Sequence, residues 1–208
     1  MNYINNLIDR YPILKDVKAD VYAAVSAVVD TYRAGGKVLL CGNGGSASDC
    51  EHVAGELLKG FMLRREPRED ELSRLTEGLG DKAAMLQQGI AAIPLPSISG
   101  AVSAFANDVD PSLVFAQMVY ALGRNTDLLI AFSTSGNSEN VVSAVKCARA
   151  LGIKTLTLTG ASGGKLADAS DICIRVPETE TYKIQEYHLP VYHAICAETE
   201  EILFGRGE

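Results

Sequence analysis

The sequence predicts an α/β protein, a three-layer sandwich built on a doubly wound, mostly parallel sheet. Two observations support this fold class. Short apolar runs rich in β-branched residues recur along the chain, as in strands that are covered on both faces. They alternate with longer segments in which apolar residues recur at helical spacing. The 208 residues suffice for one sizeable core, so we expect a single domain over 1–208.

The first part of the chain predicts a helical segment, a strand and a glycine-rich turn. Residues 1–35 are expected to be helical, because apolar residues follow helical spacing over 14–34 and two glycines come next. KVLLC (37–41) is predicted to be a short buried strand. In the turn GNGGS (42–46), Ser46 is the expected N-cap of the following helix.

A charged insert, about residues 62–88, then interrupts the alternation, and we expect it on the surface as a loop with a short helix. Further strands are predicted at 89–95, 127–133, 154–160 and 171–176. Helices are predicted at 111–124, 139–152, 163–170 and 181–204. The order of strand, Gly/Ser turn and helix therefore occurs twice, with the turns at 42–46 and 134–138.

The composition excludes several classes of partner. A formal net charge of −7 argues against general electrostatic binding to nucleic acid or to an anionic membrane. The N-terminus does not have the pattern of a signal peptide, and no apolar run is long enough to span a membrane. The five scattered cysteines show no C-x-x-C spacing, which predicts reduced core thiols in a cytoplasmic protein.

Both Gly/Ser turns follow predicted strands, at the sheet edge where α/β proteins bind ligands. A helix N-terminus beside such a turn favours an anion, through free N–H groups and the helix dipole. The second turn supplies the hydroxyls of Ser133, Thr134, Ser135 and Ser138. Either turn alone could be only a tight connection, but two at equivalent strand ends favour a site for a phosphate monoester.

Two nucleotide sites are disfavoured. Gly42-x-Gly44-x-x-Ala47 formally fits the dinucleotide fingerprint, which also requires a second strand ending in an acidic residue about 20 residues further on. Here the chain continues through a helix into the charged insert instead. The sequence G-K-[ST] of a P-loop does not occur.

Four polar residues on two predicted helices can form a reactive cluster. His52 and Glu56 lie four apart and so share a helix face, as surface pairs commonly do. Gln185 and His193 lie eight apart, about two turns, and project to broadly the same side. Together they can hold Zn²⁺ or a similar divalent ion. They can equally act without a metal, as a base and an acid.

Four segments together resemble the sugar isomerase (SIS) domain family, and within it the phosphoheptose isomerases. These segments are CGNGGSASDCEHVAGELL, AFSTSGNSENV, TLTG..GGKLADASDICIRVP and ET..IQEYHLPVYH, in this order over most of the chain. The resemblance implies a flavodoxin-like α/β sandwich with an N-terminal helix, and a homotetramer with active sites at subunit interfaces. It also implies one Zn²⁺ per subunit and a sugar phosphate substrate, sedoheptulose 7-phosphate, converted to D-glycero-D-manno-heptose 7-phosphate through an enediol.

The resemblance also implies residue roles. Glu56 would be the general base, and His193 would assist proton transfer. The implied metal ligands are His52, Glu56, Gln185 and His193. The implied substrate-binding residues are Asn43, Gly44, Gly45, Ser46, Asp108, Ser133, Thr134, Ser135, Ser138 and Gln185.

The chain departs from the phosphoheptose isomerase pattern near the expected sugar site. The charged insert is longer by roughly twenty residues, judged against ordinary loop lengths. Tyr182 and Lys183 replace an acidic residue and an arginine, and Pro190 is expected to interrupt or kink the last helix. These departures leave isomerase chemistry in place and leave the particular sugar open.

Two alternatives to this isomerase remain. One is a SIS protein that binds a phosphosugar, or a replication initiator, without catalysis. His193 favours the enzyme, because the related regulator of replication initiation usually has no histidine at that position. The other is a different SIS enzyme, such as an etherase or an amino-sugar isomerase, which is commonly longer or has two SIS units.

Overall fold

The computed structural model describes residues 2–205 and arranges their strands in one parallel sheet of order β2-β1-β3-β4-β5. The strands are β1 (Val38–Cys41), β2 (Ala92–Pro94), β3 (Leu128–Phe132), β4 (Lys154–Thr159) and β5 (Ile172–Arg175). All five predicted strands are confirmed. The strand order is that of a doubly wound sheet of the flavodoxin type, in which the chain winds first to one side and then to the other.

Helices cover both faces of the sheet. They are α1 (Tyr3–Arg10), α2 (Lys18–Arg33), α3 (Gly45–Leu58), α4 (Glu69–Leu79), α5 (Ser99–Asp108), α6 (Val114–Leu122), α7 (Glu139–Ala150), α8 (Gly164–Ala169) and α9 (Thr181–Phe204). None of these described helices combines the length and apolar character needed to cross a membrane.

The sheet separates two apolar clusters, so the predicted three layers are confirmed. On one face, Val25 of α2 and residues of α1, α3 and α9 pack in a cluster with Leu40. On the other face, Val119 of α6 and residues of α7 and α8 pack in a cluster with Leu39. Leu39 and Leu40 are neighbours on β1 and face opposite layers because side chains alternate along a strand.

Helices α3 and α9 lie side by side on the first face, and the order of their contacts shows that they run in the same direction. Near their N-terminal ends, Gly45 lies against Gln185. About two turns further along both helices, His52 contacts His193. The pair therefore leads from the carboxyl end of β1 to a second cluster of polar side chains.

Several predicted helix boundaries need correction. The segment 1–35 contains two helices, because Pro12–Val17 forms a 3₁₀ turn between α1 and α2. Helix α5 was not predicted, since its start, SISG, is typical of a turn. The prediction of an interruption at Pro190 is wrong, because α9 continues as one helix through it.

The first Gly/Ser turn differs from expectation in one respect. Helix α3 begins at Gly45, and its N-cap is Gly44, which has a φ of 55°. Such positive φ values are readily adopted only by glycine. Ser46 therefore lies in the first turn of the helix, and its prediction as the N-cap is wrong.

The charged insert forms α4 and a 3₁₀ turn, and α4 has no buried residue, as expected for a surface segment. The two ends of this segment lie together, because the N–H of Gln88 donates to the carbonyl of Arg65 over 2.9 Å. Arg65 and Ala83 are the exceptions to this surface character, since the side chain of Arg65 is fully buried and Ala83 is 0% exposed.

The cysteines are free thiols, as predicted, and three of the five are buried. Burial raises the pKa of Cys196 to about 12. It also raises the pKa of Cys41 and Cys50. These thiols therefore stay protonated at neutral pH and act as packing groups.

Candidate active site

A cavity of about 300 Å³ lies at the carboxyl ends of β1 and β3. Both Gly/Ser turns and the start of α9 line it. The lining residues are Asn43, Gly44, Gly45, Ser46, Phe132, Ser133, Thr134, Ser138, Thr181 and Gln185. The structure thus brings the two turns to one cavity, at the N-terminal ends of α3 and α7.

The chemistry of this cavity suits an anion with several oxygens. The hydroxyls of Ser133 and Ser138 lie 3.0 Å apart, and Ser46 also lines the wall. Two helix N-termini add positive dipole ends. Gly136 makes the serine turn possible, because it has a φ of 65° and a Cβ there would lie 1.9 Å from the carbonyl oxygen of Gly163.

Asn43 and Asn140 connect the two turns. Each side-chain amide donates to the oxygen of the other, and both distances are 2.9 Å. Asn43 therefore holds the shape of the cavity in addition to lining it. Asn140 was not singled out from the sequence, because its role depends on a contact across 97 residues of chain.

Gln185 lies over the N-terminal end of α3. A Cβ added to Gly45 would lie 2.7 Å from its Nε2 atom, so the absence of a side chain at Gly45 makes room for the amide. Gln185 thus belongs to the cavity of the two turns. It lies eight residues before His193 on α9, which corresponds to about 12 Å of helix rise.

A second cluster lies about two turns further along α3. The Nε2 atom of His52 is 3.3 Å from Oε1 of Glu56 and 3.3 Å from Nε2 of His193. One ligand atom of each of these three residues lies within 4.8 Å of the others. Imidazole nitrogens and a carboxylate oxygen are donors that suit Zn²⁺ and similar ions, so this donor set fits a metal.

The surroundings of this cluster keep His193 neutral. Burial and the facing His52 lower the pKa of His193, and Glu56 opposes part of this effect. The Lys59 ammonium lies 3.3 Å from Oε2 of Glu56, the other oxygen of the same carboxylate. The side chain of Glu56 is 15% exposed and that of His52 is 42% exposed, so a ligand can reach both.

Tyr192 and Asp49 lie behind His52. The Tyr192 hydroxyl is 3.0 Å from Nδ1 of His52 and donates to Oδ1 of Asp49 over 3.3 Å. Burial raises the pKa of Asp49, an effect that Tyr192 and His52 partly offset. Sequence reasoning missed both residues, although Asp49 precedes His52 by three positions and so shares its helix face.

A buried ion pair holds the end of α3. Arg65 donates from Nε to Glu200 over 2.7 Å, and both side chains are 0% exposed. The same guanidinium donates to the carbonyls of Glu56 and Leu57. Arg65 thereby satisfies the last carbonyls of the helix that carries His52 and Glu56.

Glu200 receives further hydrogen bonds from the backbone. The N–H groups that donate to it belong to Phe61, Met62 and Leu63. Burial would raise the pKa of Glu200, but these groups and Arg65 together hold it below the usual value. The carboxylate is therefore charged and links α9 to the segment that follows α3.

Two predicted substrate residues lie outside the cavity of this chain. Asp108 is exposed at the end of α5 and lines a separate groove of about 360 Å³ between α5 and α6. Ser135 is exposed, and its hydroxyl accepts from the N–H of Asn137 over 3.1 Å. Within the described chain, neither contributes to the wall around Ser133 and Ser138.

Comparisons with known proteins agree with this fold. Two family profiles, each described as SIS domain, match residues 2–95 and 100–197. A phosphoheptose isomerase from Roseiflexus sp. strain RS-1 is 41% identical over 88% of this chain and 82% of its own. A solved phosphoheptose isomerase from Francisella tularensis is 32% identical with a TM-score of 0.78, covering 96% of this chain and 95% of that one. Another, from Neisseria gonorrhoeae, is 34% identical with a TM-score of 0.70, covering 86% and 84%.

The sheet is of the flavodoxin type and has a hydroxyl-lined cavity at the carboxyl ends of its strands. Both family profiles match the chain, which places it in the class of SIS-domain proteins. The three phosphoheptose isomerases named above are between 32% and 41% identical to the chain and each cover most of it. The chain belongs to the phosphoheptose isomerase family.

Proposed function

We propose that this protein interconverts sedoheptulose 7-phosphate and D-glycero-D-manno-heptose 7-phosphate through an enediol. The observation that carries the proposal is that one helix, α3, connects an anion cavity to an acid–base cluster. Gly45 and His52 are seven residues apart, which corresponds to about 10 Å of helix rise. An extended heptose phosphate matches this separation, and the names of the relatives support this substrate.

The cavity would bind the phosphate and fix the far end of the sugar. Ser46, Ser133, Thr134 and Ser138 offer hydroxyls there, and Gln185 covers the start of α3. Binding energy gained at the phosphate is well separated from the reacting carbons. It therefore serves to orient the sugar for proton transfer.

The cluster would move the proton. Conversion of a ketose to an aldose transfers a proton between C1 and C2, and Glu56 is the proposed base that carries it. His193 is held neutral by its lowered pKa, so it has one N–H and one lone pair. It can therefore give a proton to one sugar oxygen and accept a proton from the other.

His52, Glu56 and His193 are the residues that would hold a Zn²⁺ ion. When bound, the ion would stabilise the negative charge that develops on the enediolate oxygens. Gln185 stays a predicted fourth ligand by resemblance, whereas its position against Gly45 favours a role in binding the substrate.

We further propose one SIS domain over 1–208 that forms a cytoplasmic homotetramer with active sites at subunit interfaces. The position of Asp108 supports the interfacial sites, because this residue lies in a groove apart from the cavity. It would then act on a sugar held by a neighbouring subunit. The free thiols favour a reducing compartment.

Turnover of sedoheptulose 7-phosphate tests the proposal. The purified protein is prepared free of metal and with added Zn²⁺, and ¹H and ¹³C NMR follow the sugar in D₂O. We expect the aldoheptose 7-phosphate, with solvent deuterium incorporated at the carbon that receives the transferred proton. Folded protein that converts no heptose phosphate in either preparation would contradict the substrate, and a panel of other ketose phosphates would then show whether the reaction class holds.

A further inference from the structure

We propose that Asp49 and Tyr192 are positioning residues that fix the tautomer of His52. The proton of His52 then lies on Nδ1, and the Nε2 lone pair faces Glu56 and His193. The role deepens the proposed function, because it concerns how the same cluster is prepared for a cation or a substrate.

The direction of the hydrogen bonds follows from counting protons. The hydroxyl of Tyr192 lies 3.0 Å from Nδ1 of His52 and 3.3 Å from Oδ1 of Asp49. A hydroxyl has one proton to donate, and the hydroxyl of Tyr192 is hydrogen-bonded as a donor to Oδ1 of Asp49. Tyr192 therefore donates to Asp49 and accepts from Nδ1–H of His52.

Packing makes this arrangement specific. Tyr192 is 2% exposed, and its ring meets Phe132 and His52 edge-on, with centroids 6.2 and 5.4 Å away. The second carboxylate oxygen of Asp49 is buried and has no hydrogen-bond partner among the described residues. Asp49 therefore depends on the Tyr192 hydroxyl, and the hydroxyl has little freedom to turn away.

The tautomer decides what the cluster can bind. With the proton on Nδ1, the Nε2 lone pair and the Glu56 carboxylate face each other across 3.3 Å with no proton between them. Such an arrangement of acceptors favours a cation or a proton donor on the substrate. With the proton on Nε2, His52 would instead donate a hydrogen bond to Glu56, and the Oε1 lone pair of the proposed base would no longer be free for the substrate.

The test measures the tautomer in the metal-free protein. Long-range ¹H–¹⁵N correlation of labelled histidines reports which ring nitrogen carries the proton, and a His52→Asn protein assigns the signal. In the native protein we expect the proton on Nδ1. In Tyr192→Phe we expect a mixture or the Nε2–H form, and Asp49→Asn should resemble it.

Zn²⁺ affinity, measured by competition with a chromophoric chelator, is the second readout. Loss of a residue that orients a ligand typically weakens metal binding by about 10- to 100-fold, which we expect for Tyr192→Phe. Tyr182→Phe is the matched control, because Tyr182 is 57% exposed at the start of α9. Near-UV circular dichroism of each variant checks that the fold is kept.

Native His52 with its proton on Nε2 would overturn the proposal. So would a Tyr192→Phe protein with the native tautomer and unaltered Zn²⁺ affinity. Neither measurement uses a sugar. A protein with the expected tautomer that isomerises no heptose phosphate would therefore refute the proposed substrate and leave this inference standing.

Discussion

The Nε2 atoms of His52 and His193 lie 3.3 Å apart, although 141 positions separate the two residues in the chain. The contact exists because α3 and α9 run in the same direction on one face of the sheet. It places a second imidazole beside Glu56, so the cluster has both the proposed base and a neutral imidazole that can carry a proton.

Glu56→Gln and His193→Gln should each lower kcat by about 10²- to 10⁴-fold, as expected for loss of an acid or base. KM should change little, because the proposed phosphate cavity is untouched. Steady-state kinetics with sedoheptulose 7-phosphate measure both constants. Glu77→Gln on the exposed α4 is the control, and turnover near the native rate in both site variants would contradict the assigned roles.

Gly45→Ala should displace Gln185 and raise KM without unfolding the protein. The new Cβ would lie 2.7 Å from Nε2 of a flexible side chain, which can move away. Gln185→Ala should have a similar effect, and the double variant should be no worse than either single one. Kinetics of the three variants test this coupling.

Gly55→Ala is the matched control for that series, because Gly55 lies on the same helix as Gly45. A Cβ added at Gly55 would have no atom within 4 Å. It should raise the free energy of unfolding by about 0.5–1 kcal/mol and leave KM unchanged. Strictly additive effects of Gly45→Ala and Gln185→Ala on KM would show that the two residues do not act together.

Glu200→Gln should lower the free energy of unfolding by about 3–5 kcal/mol, since it leaves the buried Arg65 guanidinium without its counter-charge. Urea unfolding at pH 7 measures the loss. Arg68→Met removes the exposed ion pair with Glu71 and should change stability by less than about 1 kcal/mol. If both variants lost the same free energy of unfolding, the buried Arg65–Glu200 pair would contribute no more to stability than an exposed ion pair.

His188 should make folding stability depend on pH. Burial lowers its pKa to about 4, although the hydrogen bond to the Thr159 carbonyl opposes part of the shift. Between pH 6.5 and 4 the unfolded chain therefore binds a proton that the folded protein does not. The contribution is complete above pH 6.5 and is lost as the pH falls through this window.

At about 1.4 kcal/mol per pKa unit, the loss attributable to His188 approaches roughly 3 kcal/mol near pH 4. Unfolding by urea across this range, in the native protein and in His188→Gln, measures it. The variant should be less stable at pH 7 and should lose less stability on acidification. Parallel pH profiles for the two proteins would rule out this contribution.

Local patterns in the sequence predicted the strands, α9 and the serine turn, because strand and helix periodicity are properties of neighbouring residues. Helix α5 escaped prediction since its first residues also suit a turn. Tyr192 and Arg65 could not be found in this way, and the local spacing of Asp49 and His52 shows a shared helix face without showing a role. Their roles depend on the register of α3 against α9, which is set by packing between segments far apart in the chain.

The backbone hydrogen bond between Gln88 and Arg65 brings the two ends of the charged segment together. The segment between them is therefore a side branch, that is, a loop attached to the fold at one point. The chain leaves the body of the fold and returns to it at this one point. The side chain of Arg65 is buried in the body of the fold and does not extend into the branch. The length of the branch can therefore vary without altering the distance between the cavity and the cluster. The proposed reaction centre therefore keeps its dimensions whatever the length of the exposed part of this branch.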